Sequence, residues 1–216
     1  MISLERVLMG SALLLILGSA YGQEERNVFA QGGSQPGAAP CVACHGADGL
    51  GLAVAGFPRL AGLPAGYLRK QLEDFKSGAR NSPVMQPLAK ALTEEEIVSV
   101  TRALAAMPAP AAVPLHRSVM PVNTAQKIAL QGAWDRQIPA CVSCHGPAGV
   151  GVGEAFPPLA GQPAAYLVAQ LNAWQSGARH NDPNDLMGHI AKSLTAEEVQ
   201  GVAAYFSSLS GQEVKP

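Results

Sequence analysis

Cys41-Val42-Ala43-Cys44-His45-Gly46 recurs one hundred residues later as Cys141-Val142-Ser143-Cys144-His145-Gly146. C-x-x-C-H is the attachment signature of c-type haem. Two thiols three positions apart each add to one vinyl group of the same porphyrin, and the following histidine is carried under the ring to the iron. The two motifs use all four cysteines of the chain. Zinc half-sites or redox dithiols also use C-x-x-C. As zinc ligands the pairs would have to converge from opposite halves, and both His-Gly extensions would go unexplained. Two disulfides in an exported protein are the other alternative, but cysteines at i and i+3 of a helical turn rarely pair. The spacing therefore predicts two covalently bound haems c.

The 216 residues suffice for one large or two small domains. Arg6, then the apolar run Val7 to Gly18, then Ala20-Tyr21-Gly22 read as a secretory signal over residues 1–22, with a retained membrane anchor as the alternative. Export agrees with haem attachment outside the cytoplasmic membrane, so the expected location is the periplasm, with a possible tether to the inner membrane. Net charge is −1, with eight basic and eight acidic side chains in residues 23–113 and six and seven in 114–216. No basic field suits nucleic acid, and that partner class is excluded.

The halves repeat each other beyond the cysteines. Gly56-Phe57-Pro58-Arg59-Leu60-Ala61-Gly62 returns as Ala155-Phe156-Pro157-Pro158-Leu159-Ala160-Gly161. Tyr67-Leu68 with Gln71-Leu72 returns as Tyr166-Leu167 with Gln170-Leu171, and Ser77-Gly78-Ala79-Arg80 as Ser176-Gly177-Ala178-Arg179. The chain is thus a tandem of two homologous domains. We place them at residues 23–107 and 123–216, joined by a stiff Pro/Ala-rich linker at 108–122. Within each, the pattern is helical. Pro64 and Pro163 open helices whose apolar faces carry Leu68, Leu72 and Phe75, then Leu167, Leu171 and Trp174, with Gly78 and Gly177 as stops. Thr93-x-x-Glu96 and Thr195-x-x-Glu198 are capping boxes for the last helix of each half. A further helix is expected from Thr124 to Trp134, with a shorter, interrupted counterpart between Gln31 and Pro40. No alternating strand pattern competes, so the fold class is all-α, each domain a small helical fold around one haem.

A haem iron bound by one histidine is either open for chemistry or closed by a second ligand. Met85 lies seven residues before Leu92-Thr93 and Met187 seven before Leu194-Thr195, so they share one repeat position, expected in a loop. Core filling is the alternative use of a methionine. Their matched register instead makes them the sixth ligands of irons held by His45 and His145, and closure by thioether sulfur suits electron transfer. His116, His180 and His189 read as surface residues.

These residues resemble the di-haem cytochromes c of the cytochrome c4 type, over essentially the whole chain after the signal. The resemblance rests on C-x-x-C-H-G, (G/A)-F-P-x-L-A-G, Tyr-Leu with Gln-Leu, Ser-Gly-x-Arg and the methionine before Ala-Lys and Leu-Thr. It implies two cytochrome c domains with His/Met haems. It also implies that the Pro58 and Pro157 carbonyls accept from Nδ1–H of His45 and His145, orienting each ring. Tyr67, Arg80, Tyr166 and Arg179 match positions expected to hydrogen-bond haem propionates; an ordinary surface location is the alternative. The segment from Arg80 to Met85 is three residues shorter than that from Arg179 to Met187. The expected function is periplasmic electron carriage, not catalysis. Electrons would come from a quinol-oxidising complex or dehydrogenase and go to a terminal oxidase. A fixed electron-transfer subunit of a flavoprotein sulfide or alcohol dehydrogenase is the runner-up. A di-haem peroxidase is disfavoured, because it needs an iron that opens.

Overall fold

A computed structural model describes residues 27–111 and 120–209. The expected signal at 1–22, His116 and most of the expected linker lie outside the described residues. Among the described residues ten α-helices run in chain order: α1 (Val28–Gln31), α2 (Val42–His45), α3 (Ala65–Ser77), α4 (Met85–Lys90), α5 (Glu94–Ala106), α6 (Thr124–Gln131), α7 (Cys141–His145), α8 (Ala164–Gln175), α9 (Leu186–Lys192) and α10 (Ala196–Ser208). Among the described residues strand pairing is limited to isolated bridges. The two halves, α1–α5 and α6–α10, are small helical domains in tandem.

Both capping boxes form. Thr93 and Thr195 accept from the amides of Glu96 and Glu198, and each glutamate returns a bond to its threonine amide. The faces behind them are buried. Ile97, Val100 and Leu104 of α5 join Val28, Phe29, Leu63, Leu68 and Leu92 in the first core. In the second half Val199 and Val202 pack with Ile128, Ile138 and Leu194, and Phe206 with Leu167 and Leu209. These are thin cores, as expected for domains of this size. α3 ends where Gly78, at φ 88°, receives the chain in a left-handed cap.

Two expectations shift. The helix expected to reach Trp134 stops at Gln131: Gly132 has φ 81°, and a Cβ there would meet the Ile138 carbonyl oxygen at 2.4 Å. The chain must turn there, and a short 3-10 turn at Trp134–Arg136 follows. The interrupted helix expected over Gln31–Pro40 is instead one turn placed earlier, α1, capped by Asn27 and ended by Gly32 at φ 80°.

The duplicated halves face each other. α8 of the second half packs on the 3-10 turn Ala53–Ala55 of the first. Tyr67 N–H donates to Glu154 Oε2 at 3.1 Å and Lys70 Nζ to the Asn181 carbonyl at 2.9 Å.

Ile97 is fully buried, so Ile97→Ala should destabilise the first domain by about 2–5 kcal/mol. Val54→Ala, at a fully exposed side chain, should change little. Denaturant unfolding of the two holoprotein variants measures the difference.

Candidate functional site

Each C-x-x-C-H motif sits on a single helical turn. His45 N–H donates to the Cys41 carbonyl at 2.9 Å, closing that turn so that both thiols and the imidazole leave from one short element. Cys141–His145 forms the same turn. The glycine after each histidine has φ 78° (Gly46) and 77° (Gly146), which reverses the chain at once. That reversal lets Gly51 N–H reach the His45 carbonyl at 2.9 Å and Gly151 N–H the His145 carbonyl at 2.7 Å. A Cβ on Gly51 would meet Phe57 O at 2.5 Å and Pro58 C at 2.6 Å. Glycine is thus required for the Phe57-Pro58 segment to press against the histidine loop.

The consequence is a fixed imidazole. His45 Nδ1 lies 3.0 Å from Pro58 O and His145 Nδ1 lies 2.8 Å from Pro157 O. A carbonyl accepts only, so Nδ1 carries the proton and donates, which leaves the Nε2 lone pair available. Both rings are buried. Burial lowers their pKa, with the carbonyl bonds opposing, so the neutral, metal-binding form prevails near pH 7. The four thiols are free of disulfides. Burial raises the Cys41 thiol and pushes Cys141 up to about 11. Among the described residues no cluster of His, Cys, Asp and Glu converges as a bare-metal site, so the pairs do not meet as zinc ligands.

Met85 and Met187 stand at the beginnings of α4 and α9 rather than in a loop. In each half an upstream side chain accepts from the methionine amide, a contact that sequence reading missed. Met85 N–H donates to Ser82 Oγ at 3.1 Å. In the second half Asp182 does more: its carboxylate accepts from Met187 N–H at 2.7 Å, Gly188 N–H at 3.1 Å and Trp174 Nε1–H at 2.9 Å. Burial raises the Asp182 pKa, but the hydrogen bonds from Gly188, Trp174 and Met187 outweigh it and hold the carboxyl below its ordinary range. The three extra residues of this segment fold as the 3-10 turn Pro183–Asp185, with Asn184 and Asp185 at positive φ. A Ser or Asp three to five residues before the methionine was the available sequence signal.

Arg80 and Arg179 are not surface residues; both are buried where the halves meet. Arg80 stacks on Phe75 and Arg179 on Trp174, at 4.5 and 3.9 Å from the ring centroids. Arg80 donates to Gln71 Oε1, Tyr166 OH and Gln170 Oε1, and Arg179 to Gln170 Oε1, Gln71 Oε1 and Asn181 Oδ1. Tyr67 and Tyr166 are half-buried beside them. Two buried guanidiniums with no carboxylate among these partners form a cationic patch suited to an anion. His180 and His189 are exposed.

Asp182→Ala removes three accepted hydrogen bonds and should destabilise the second domain by about 1–3 kcal/mol. Exposed Asp135, substituted in the same way, is the control. Because the folded pKa of Asp182 is depressed, its contribution persists above the ordinary carboxylate pKa and is lost as pH falls through the folded value. Thermal unfolding at pH 7 and at pH 3 should show the Asp182→Ala deficit shrinking at the lower pH.

Comparison with known proteins agrees with this geometry. The cytochrome c family profile matches residues 30–102 and 131–210, one match per half. The chain is 55% identical over 206 residues to a "thiosulfate dehydrogenase electron acceptor" of Stutzerimonas stutzeri, covering 95% of each chain. Thiosulfate dehydrogenase TsdBA of Marichromatium purpuratum is 46% identical with TM-score 0.75, covering 84% of this chain and 39% of that longer one. Cytochrome c4 of Acidithiobacillus ferrooxidans is 36% identical with TM-score 0.64, covering 78% of this chain and 98% of that one. Paired thiols followed by a buried neutral imidazole with a free Nε2 fit a covalently attached haem. The chain belongs to the cytochrome c family, as a two-domain electron carrier of the cytochrome c4 type with two covalent haems c.

Proposed function

We propose that Cys41 and Cys44 hold one haem and Cys141 and Cys144 the other, with His45/Met85 and His145/Met187 as the axial pairs. In this reading Arg80, Arg179, Tyr67 and Tyr166 hydrogen-bond the propionates, and the domains span residues 23–107 and 123–216 about the linker 108–122. Haem iron supplies a one-electron couple whose potential the axial ligands set. Everything else is the work of the chain. The Pro58 and Pro157 carbonyls fix the imidazoles, while Ser82 and Asp182 fix the backbone at the methionines. The matched placement of Met85 and Met187 in the first turns of α4 and α9, together with imidazoles fixed alike in both halves, carries the reading: His45 with Met85 and His145 with Met187 would hold each iron closed, which suits a carrier rather than an enzyme.

The site of action in this proposal is the periplasm. Among the described residues no helix is long and apolar enough to cross a membrane; a tether would fall on the N-terminal segment outside them. The electron donor is a thiosulfate dehydrogenase, supported by the 55% identity to a protein of that acceptor role; the acceptor is a terminal oxidase or comparable membrane complex. Leu50 and Leu52 in the first half, and Val150 and Val152 in the second, are exposed just after the attachment motifs. Such an apolar rim suits docking by contact more than by charge steering. A second reading, a fixed subunit of the dehydrogenase, draws support from the thiosulfate dehydrogenase chain that contains a related unit.

Met85→Ala and Met187→Ala should each abolish the Met–iron charge-transfer absorption of one haem and lower its potential, leaving attachment intact; unchanged potentials in both would refute the ligand pairs. Cys41→Ala or Cys144→Ala should instead weaken attachment, read as haem lost in denaturing electrophoresis. Anaerobic mixing with a purified thiosulfate dehydrogenase and thiosulfate should reduce both haems of the free protein. Reduction only after co-expression, with stoichiometric copurification, would select the fixed-subunit reading.

A further inference from the structure

The repeats differ where they touch. Arg59 in the first half corresponds to Pro158 in the second, and Gln162 in the second corresponds to Leu63 in the first. Arg59 and Gln162 are only 2% and 3% exposed, and they meet across the domain junction. Gln162 Oε1 accepts from the Arg59 backbone N–H at 3.1 Å, and Gln162 Nε2 donates to the Arg59 carbonyl at 2.9 Å. The two bonds together fix the orientation of the carboxamide. The Arg59 guanidinium adds bonds to the Ala61 carbonyl at 2.7 Å and, across the junction, to the Ala160 carbonyl at 3.0 Å.

The amide that Gln162 engages is the peptide between Pro58 and Arg59. Its carbonyl end accepts from His45 Nδ1 at 3.0 Å and its N–H end donates to Gln162 at 3.1 Å. One planar peptide therefore links the imidazole of one domain to a side chain of the other. An amide whose N–H is engaged by an acceptor gains carbonyl polarity, because hydrogen bonds in a chain polarise one another. A more polar carbonyl draws harder on Nδ1–H and makes Nε2 a stronger donor. The second half has no equivalent. The peptide whose carbonyl accepts from His145 ends at the nitrogen of Pro158, which carries no hydrogen. Its acceptor strength is fixed within its own domain.

We propose that Gln162 is a positioning residue that tunes the first haem across the domain junction, through the Arg59 amide, the Pro58 carbonyl and His45, while the second haem's histidine is set locally. Docking of the domains thus enters the potential of the first centre and not the second. The inference rests on His45 being an axial ligand.

The test uses the holoprotein with Gln162→Met, similar in length but without the amide, and Gln162→Glu, which retains an acceptor for the Arg59 N–H. Spectroelectrochemistry resolves two components, assigned by the one that Met85→Ala displaces. Gln162→Met should raise the first potential alone, increasing its reduced-to-oxidised ratio at fixed applied potential about threefold, roughly 30 mV at 59 mV per tenfold for one electron. In the reduced protein the His45 Nδ1–H proton resonance should move upfield, while that of His145 stays. Gln162→Glu should not raise the first potential. The proposal is overturned if Gln162→Met leaves the first potential unchanged, if both potentials move alike, or if Gln162→Glu raises it as Gln162→Met does. A Met85→Ala variant that displaces neither component would instead refute the ligand reading itself, whatever Gln162 does.

Discussion

The hydrogen bond from an imidazole Nδ1–H to a proline carbonyl is the interaction on which each half of this protein turns. It needs a buried histidine at the end of a single helical turn, an immediate chain reversal at glycine, and a returning segment pressed close enough for its carbonyl to reach the ring. Each requirement is met by a different residue, and each fails separately. The bond fixes one ring nitrogen as donor and so leaves the other with its lone pair free to bind a metal. The thiols three residues apart then follow from the same turn.

Duplication gives two such units, and their differences carry as much chemistry as their likeness. The second half secures its methionine segment with a carboxylate that gathers three donors, whereas the first uses one serine hydroxyl. Arginines at one repeat position meet at the junction, each stacked on an aromatic ring and sharing glutamine acceptors from both domains. Two buried cations so close are costly unless something negative completes the site. In the proposed reading the haem propionates would supply that negative charge.

Much of this was legible in the sequence. The attachment turns, the two capping boxes, the buried faces of α5 and α10 and the tandem organisation follow from spacing alone, because each depends on residues within one helical turn or one period. What spacing did not reveal depends on where the chain returns. Gly132 ends its helix early because the Ile138 backbone comes back against it. Met85 and Met187 stand in the first turns of α4 and α9, where Ser82 and Asp182 accept from their amides, contacts that spacing does not announce. The burial of Arg80 and Arg179 could not be read at all, since it arises from contact between the repeats. The exchange of Arg59 for Pro158 was visible, but only the fold shows that it sits behind the peptide that orients His45.

The central claim is that each half of the chain carries its own covalently bound, histidine-anchored haem. Intact mass under denaturing conditions, taken with the pyridine haemochrome spectrum of the same protein from a maturation-competent host, tests it most directly. The account predicts the processed polypeptide plus two haem masses, with a spectrum showing both vinyl groups of each porphyrin saturated. A mass equal to the bare polypeptide, or a spectrum of haem with free vinyl groups, would contradict it.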